Sequence, residues 1–190
     1  MALGFWETLT SVNADGTALT AAARASMTQG AAATGARFTM PANRFKIGDQ
    51  LHLKASGRIS CAITTPGTAR FDLAAGATVI FDTLAMNLNI VAKTNVSWEL
   101  EVLGTVRAIG TTGNIFWQGQ WASEAVIASP LPTIGGSGSF LVPYNTPPVI
   151  GANFDTTVSS LWDFFFTQTV ATGSATLHQL SLSLKTSAGF

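Results

Sequence analysis

A period of two in the apolar positions dominates the middle of the chain. From Trp98 to Ala108 every second residue is apolar or glycine, and the residues between them include two glutamates and an arginine. A second run with the same period extends from Ile115 to Ile127 and contains two more tryptophans. Because successive side chains of a strand point to opposite faces, each run predicts a strand with one buried face.

The two runs together predict a β-hairpin around the turn residues 110–113. Folding the runs about the midpoint of this turn places Val102 opposite Trp121 and Gly104 opposite Gly119. This register keeps the tryptophans on one face, whereas a loop one residue longer or shorter would move them to the other face.

Shorter apolar runs, separated by turn residues, indicate further strands on both sides of the hairpin. They cover residues 37–40, 45–47, 51–63, 70–73, 78–82, 88–92, 161–170 and 177–185. Eight to ten antiparallel strands without a clear helix predict an all-β, single-domain jelly-roll β-sandwich. Residues 17–30 leave helix and extended structure open, because their alanines favour a helix while the surrounding pattern favours strands.

The first 16 residues are predicted to form an extended N-terminal arm, which precedes the jelly-roll domain at residues 17–190. Three apolar residues of the arm, Phe5, Trp6 and Leu9, precede a strong turn signal. Two roles remain open for the arm, which either covers an edge of its own domain or docks on a neighbour.

A second candidate for contacts is the segment 129–148. It holds five of the seven prolines, a Gly-Gly-Ser-Gly-Ser run and Tyr144. Such a segment is too long for a plain connection and predicts an exposed loop with a functional role.

Composition narrows the classes of partner. Charged residues make up 11% of the 190 residues and the net charge is zero, against about 25% charged residues in ordinary domains. Nucleic acid and anionic membranes need a cationic patch, so neither is expected as a partner. The weakly charged surface suits a subunit of an assembly, although an ordinary β-protein rich in threonine and alanine would share it.

Targeting signals are not recognised in the sequence. Its start, Met-Ala-Leu-Gly-Phe-Trp-Glu, lacks the basic lead and apolar stretch of a secretion signal, and no apolar run approaches the ~20 residues that span a bilayer. We therefore expect the chain to be made and kept in the cytoplasm, or to leave it by lysis.

No pattern indicates catalysis. The sequence has no nucleophile elbow, phosphate loop or zinc-protease motif, so we expect no enzyme, no cofactor and no metal site. Cys61, the only cysteine, is predicted to be a small buried apolar residue. His52 is expected on the polar face of its strand, and His178 is expected to be a boundary residue with satisfied hydrogen bonds.

Three carboxylates are predicted to lie close together. Glu99 and Glu101 share the polar face of one strand, and the predicted hairpin places Glu124 opposite Glu99. Such a group could bind a hard cation or act as a glycosidase pair. A solvated edge is the simpler alternative.

Several segments together resemble the single jelly-roll, tumour-necrosis-factor-like structural proteins of tailed-phage virions. They are residues 35–49 and 51–60 (a Gly-Asp turn, a long strand and Gly-Arg), 98–102, 105–113 and 118–119 (the hairpin), and 155–157, 161–163 and the final strand with its alternating leucines. The resemblance extends over about residues 18–185.

This resemblance implies a virion structural role without catalytic residues. Its members commonly form trimers, as head decoration (cement) proteins or as tail and fibre components. The expected partners are a second and third copy of the chain and the phage major capsid protein. The expected location is the capsid surface, after synthesis in the cytoplasm of the host bacterium. The alternative is a tail or fibre component that binds a host-surface glycan.

Exposed aromatic and apolar side chains are the candidate partner contacts. Phe5, Trp6 and Phe116 lie outside the best core positions, and exposed aromatics anchor subunit contacts or stack on sugars. With Leu9 in the arm and Tyr144 in the segment 129–148, they form the predicted contact set.

Overall fold

Twelve strands and no helix make up the described part of the computed structural model, which comprises residues 5–28, 37–62, 67–125 and 138–187. In chain order the strands are β1 (Trp6–Ser11), β2 (Arg24–Ser26), β3 (Phe38–Met40), β4 (Gln50–Cys61), β5 (Thr68–Ala75), β6 (Thr78–Asp82), β7 (Met86–Asn87), β8 (Lys93–Ala108), β9 (Asn114–Ser123), β10 (Ser139–Val142), β11 (Ser160–Gln168) and β12 (Ser174–Lys185).

The strands form two antiparallel sheets. Sheet A has the order β1-β12-β4-β8-β9-β10, and sheet B has the order β2-β11-β5-β6, with β3 also paired to β11 and β7 to β5. Eight of the strands follow the jelly-roll connectivity: β1-β12-β4-β8 in sheet A and β2-β11-β5-β6 in sheet B. Taken in chain order, these eight change sheet at every connection except β5–β6. The predicted all-β jelly-roll sandwich is thereby confirmed.

Two details of the fold differ from the sequence-based expectation. The described residues form twelve strands rather than eight to ten: β1, β2, β7 and β10 were not predicted as strands, whereas the predicted runs 45–47 and 88–92 form none. Residues 17–28 contain β2 and no helix. Of their alanines only Ala25 lies in β2, where sheet pairing overrides local helix propensity, while residues 21–23 form bends.

The core between the sheets is aromatic. Phe71 of sheet B contacts Trp98 and Trp121 of sheet A, with ring centroids 4.9 Å and 4.6 Å apart, and these two tryptophans stack at 5.3 Å. Phe164 and Phe166 on β11 pack against the same phenylalanine. Complete burial of each large side chain contributes roughly 1.5–3 kcal/mol. Because Trp98 and Trp121 occupy alternate positions that the period of two marks as buried, that period predicts this part of the core.

The hairpin β8–β9 has the predicted faces but a different register. Val102 pairs with Gly119, and Gly104 pairs with Trp117, so the two glycines are not opposite each other. The turn is not centred on the midpoint used for the prediction, and a register shift occurs between Val106 and Ala108. Together they move the pairing of the two strands by two residues from the predicted register. Because the side-chain period is also two, the buried face is unchanged.

Strand β1 is an edge strand of sheet A. It pairs with β12 from Trp6, opposite Lys185, to Ser11, opposite Ser181. Leu9 and Val12 pack against the core. Residues 6–11 therefore cover an edge of their own domain, which was one of the two roles left open. The boundary at residue 16 stays a prediction.

Candidate contact surface

We call the side of sheet A that faces away from sheet B the outer face. Two of the predicted contact residues, Trp6 and Phe116, lie on one row across it. The row runs over five strands, from Trp6 through Lys185, Gln50 and Thr105 to Phe116. With strands about 4.8 Å apart, the two aromatic residues are separated by roughly 19 Å.

Exposed apolar side chains occur at both edges and in the middle of the outer face. Trp6 lies on the edge strand β1 and Leu141 on the opposite edge strand β10, where it is 64% exposed. Leu103, between them on β8, is 45% exposed. Phe5, directly before β1, is 78% exposed. Scattered exposed apolar side chains are ordinary, whereas a contiguous apolar patch marks an interaction surface, so the outer face is only a candidate for one.

Phe116 lies in a shallow depression of the outer face, next to a cation. The guanidinium carbon of Arg107 is 5.1 Å from the centre of the ring, within cation–π distance. Gln118 and Leu141 also line this depression, which has a volume of about 520 Å³. The site thus combines an aromatic ring, an amide and a guanidinium group.

The carboxylates of the outer face are paired with cations. Lys54 Nζ lies 2.9 Å from Glu99 Oε1 and 3.9 Å from Glu101 Oε2. The hydrogen bond and charge of Glu99, with a further contribution from Glu101, raise the pKa of Lys54. His52 Nε2 lies 2.8 Å from Glu101 Oε1.

The expected meeting of Glu99 and Glu124 is wrong. Glu99 pairs with Ala122, because of the shifted register, and Glu124 binds Lys93 at 3.3 Å. Among the described residues no group of three histidine, cysteine or acidic side chains could hold a metal ion. The carboxylates therefore form part of a solvated, ion-paired face.

The two histidines contact neighbouring side chains, and the cysteine is buried. His178 Nδ1 lies 2.7 Å from Asp15 Oδ1, and the His52 ring lies 5.6 Å from that of Trp6. Cys61 is buried, as predicted, and its burial raises the pKa of the thiol. Its Sγ lies 3.5 Å from the carbonyl oxygen of Asn89.

Two of the five predicted contact residues do not lie on the surface as expected. Tyr144 is only 8% exposed, its ring lies 4.9 Å from that of Phe140, and burial raises its pKa. Leu9 is partly buried against the core. Both side chains contribute to packing within their own chain, because the strands around them leave apolar space that they fill.

The segment 129–148 is described only from residue 138 onward, so the first part of the predicted loop lies outside the described residues. Its second part contains the edge strand β10. Sequence reasoning missed Leu103 and Leu141 as surface residues. Leu103 could have been found, because it is the one leucine at the polar positions of β8; Leu141 follows a loop-like sequence that gives no strand signal.

No described residue belongs to a helix that could cross a membrane.

Comparison with known proteins finds no matching family model and no matching curated protein. Among solved structures, the chain is similar to the CBM2 module of the evolved Dit of Lactobacillus casei BL23 phage J-1. The identity is 9% over 81% of this chain and 70% of that chain, with a TM-score of 0.34. A likeness at this TM-score carries no argument, so the class of the protein, a jelly-roll β-sandwich, rests on its own strand order.

Proposed function

We propose that the protein is a non-enzymatic structural protein of a bacteriophage virion, a capsid decoration (cement) protein that binds the head shell as a homotrimer. The observation that carries the proposal is the outer face of sheet A, where Trp6, Leu103 and Leu141 are exposed among ion-paired charges. The phage setting is supported by the sequence resemblance described above.

The outer face has the composition of a contact surface. Its two central carboxylates, Glu99 and Glu101, both lie near Lys54, so burial against a partner leaves neither of them without a nearby cation. A protein that binds only the assembled shell stabilises it by RT ln(1 + [L]/Kd), about 2.7 kcal/mol at a concentration of 100 Kd. Closed symmetry lets several weak contacts act together.

Electron microscopy of intact virions labelled with an antibody against this chain tests the proposed location. Label distributed over the head supports decoration, whereas label confined to the tail supports the tail alternative. Absence of label from the particles would contradict a virion role altogether.

Substitution of the outer face tests the proposed contact. We expect Leu141→Lys to weaken binding of the purified protein to heads that lack it. Val158→Lys is the matched control, because Val158 is also exposed but lies outside sheet A. Equal binding by the two variants would contradict the use of the outer face. Light scattering of the purified chain tests the homotrimer, for which we expect three times the chain mass of 19.8 kDa.

A second candidate function is binding of a host-surface glycan by a tail or fibre component. It is favoured by the depression around Phe116, where the ring could stack on a sugar and Gln118 and Arg107 could bind its hydroxyls. A glycan array tests this candidate. Signals that disappear in Phe116→Ala support it, and a protein without sugar preference fits the decoration role.

A further inference from the structure

We infer that the outer face of sheet A binds an extended acidic polysaccharide along the row of residues from Trp6 to Phe116. The inference rests on the second candidate function, glycan binding, and adds the charge and the length of the ligand. Each end of the row combines an aromatic ring with a cation that has no carboxylate partner, and the residues between the two ends are uncharged.

Two cations at the row have no carboxylate partner. Six of the ten lysine and arginine side chains form ion pairs with aspartate or glutamate. Among the described residues Arg107 and Lys185 form no such pair, and neither do Arg58 and Lys46. Arg107 and Lys185 therefore keep their charge and their N–H donors available for an anionic ligand.

Both of these cations lie beside an aromatic side chain. Lys185 on β12 is directly opposite Trp6 on β1, and Trp6 is 42% exposed. The guanidinium carbon of Arg107 lies 5.1 Å from the centre of the Phe116 ring. The contact with the ring uses none of the N–H donors of Arg107, so the side chain can still bind an anion.

The middle of the row is polar and uncharged. It contains Gln50 on β4, which is opposite Lys185, and Thr105 on β8, which is opposite Phe116. Amide and hydroxyl groups donate and accept hydrogen bonds, as sugar hydroxyl groups do. Neutral sugars of a polysaccharide therefore suit the middle of the row, and acidic sugars suit its ends.

The carboxylates near the row have cations of their own. Glu7, next to the aromatic end on β1, binds Arg44 at 2.6 Å. Glu101 is four residues from Thr105 along β8, a distance of roughly 13 Å, and lies 3.9 Å from Lys54. An acidic ligand on the row would thus meet two cations without a counter-charge and no carboxylate without one.

The two ends are too far apart for a single sugar. Lys185 and Phe116 are separated by three strand spacings, or roughly 14 Å. One sugar can contact only one end, whereas an extended oligosaccharide can contact both. Two linked contacts bind more tightly than either contact alone.

The sparse charge of the row favours a polysaccharide over a nucleic acid. Single-stranded nucleic acid also combines negative charge with rings that stack on aromatic side chains. It has a phosphate at every nucleotide, however, and much of its affinity comes from neutralising several of them. Two cations with uncharged residues between them provide little of this neutralisation. A polymer in which neutral sugars separate the acidic ones matches the row better.

Calorimetric titration of the purified full-length chain at low salt tests the inference. The probes are decasaccharides of hyaluronan, chondroitin sulfate and alginate, each with its matched form in which the carboxylates are reduced to alcohols. We expect at least one acidic form to bind about tenfold more tightly than its reduced form, and added salt to weaken that binding. The corresponding disaccharide should bind at least about tenfold more weakly, because it reaches only one end.

Matched variants locate the binding. Arg107→Gln and Lys185→Gln each remove one cation of the row and should reduce the affinity for the acidic decasaccharide about threefold to tenfold. Arg58→Gln is the control, because Arg58 also has no carboxylate partner among the described residues but lies eight residues from Gln50 along β4, roughly 26 Å away. Its affinity should be unchanged. Urea denaturation checks that all three variants are folded.

Three outcomes would overturn the inference: no binding by any acidic decasaccharide, equal affinities for the acidic and reduced forms, or equal affinities for the three variants. A disaccharide that binds as tightly as the decasaccharide would overturn the use of both ends. Tighter binding of oligothymidylate or polyglutamate than of every decasaccharide would assign the row to nucleic acid or to an acidic protein instead.

The same results separate this inference from the glycan function on which it rests. Equal binding of the acidic and reduced forms would leave glycan binding in place and remove its selectivity for charge. Absence of binding both in this panel and on the glycan array would remove both.

Discussion

Gly104 on β8 lies directly opposite Trp117 on β9, and a Cβ atom built on the glycine would lie 2.7 Å from Cε3 and Cζ3 of the indole. The position requires glycine because the ring occupies the space of a side chain. We expect Gly104→Ala to lower the free energy of unfolding by about 1–3 kcal/mol, as overpacking of a core does. Urea denaturation measures the change.

A double-mutant cycle with Trp117→Phe identifies the cause of that loss. The smaller ring should accept the added methyl group, so the two substitutions together should cost less than the sum of their separate effects. Thr105→Ala, one residue along on the outer face, is the control and should have little effect. Full additivity would show that the loss does not come from contact with the indole.

Asp49 is expected to be a strong determinant of stability. It is completely buried, and its two carboxylate oxygens accept hydrogen bonds from the backbone N–H groups of Lys46 and Ser187, at 2.9 Å and 2.7 Å. Asp49→Ala leaves both donors unpaired and should cost about 1–3 kcal/mol for each group that stays buried. Urea denaturation of Asp49→Ala measures this loss. Asp155→Ala, at a less buried aspartate, should have a much smaller effect, and a similar loss in both variants would contradict the assignment.

The carboxylate of Asp155 offers a direct test of a pKa. Hydrogen bonds from the side chain and the backbone N–H of Thr157 lower the pKa of Asp155. We expect carbon-detected NMR titration to show a pKa below the ordinary aspartate range, and Thr157→Val to raise it toward that range. No change in this variant would show that the hydroxyl group does not stabilise the charged form.

Cys61 should make stability fall in alkaline solution. Burial raises the pKa of its thiol, so the folded chain keeps the proton at a pH where the unfolded chain loses it. Since the folded state then binds more protons, the free energy of unfolding decreases as pH rises above about 8.5, and the thiol adds no such slope below that range. Urea titrations at several pH values should show a smaller decrease in Cys61→Ala than in the unmodified chain.

The arm residues should be tested by substitution rather than by deletion. Removal of residues 1–16 would also remove β1 and leave the edge of β12 unpaired. We expect Phe5→Ser with Trp6→Ser to retain the fold, because both side chains are exposed, and to weaken attachment to phage heads. Cosedimentation with heads measures attachment, and an unchanged affinity would exclude these two aromatics as contacts.

The strands and their buried faces could be predicted because both follow from a local period of two. The register of the hairpin could not, because the shift near Val106 and the position of the turn depend on contacts outside the hairpin. Thr156, more than 40 residues away, donates to and accepts from the backbone of Gly110 at the turn. Pairing the two strands about the midpoint of the turn sequence takes no account of such a contact.

The candidate sites show the same limit. Trp6 and Phe116 were recognisable because they break the local pattern of their strands. A groove between β6, β9 and residues 143–152 was not, because no local pattern relates the segments that form its walls. Tyr144 was misjudged for the same reason, since the space that it fills is formed by Phe140 and other parts of the sandwich.

The position of β12 has a consequence for folding. This strand follows the other described strands in the sequence, yet it lies between β1 and β4 and pairs with both. Before it arrives, β1 has no partner among the described strands and one edge of β4 stays open. Non-local pairing of this kind is slow, on the order of milliseconds to seconds. The nascent chain therefore presents open strand edges until residues 174–185 are made, and during that interval it is most exposed to aggregation.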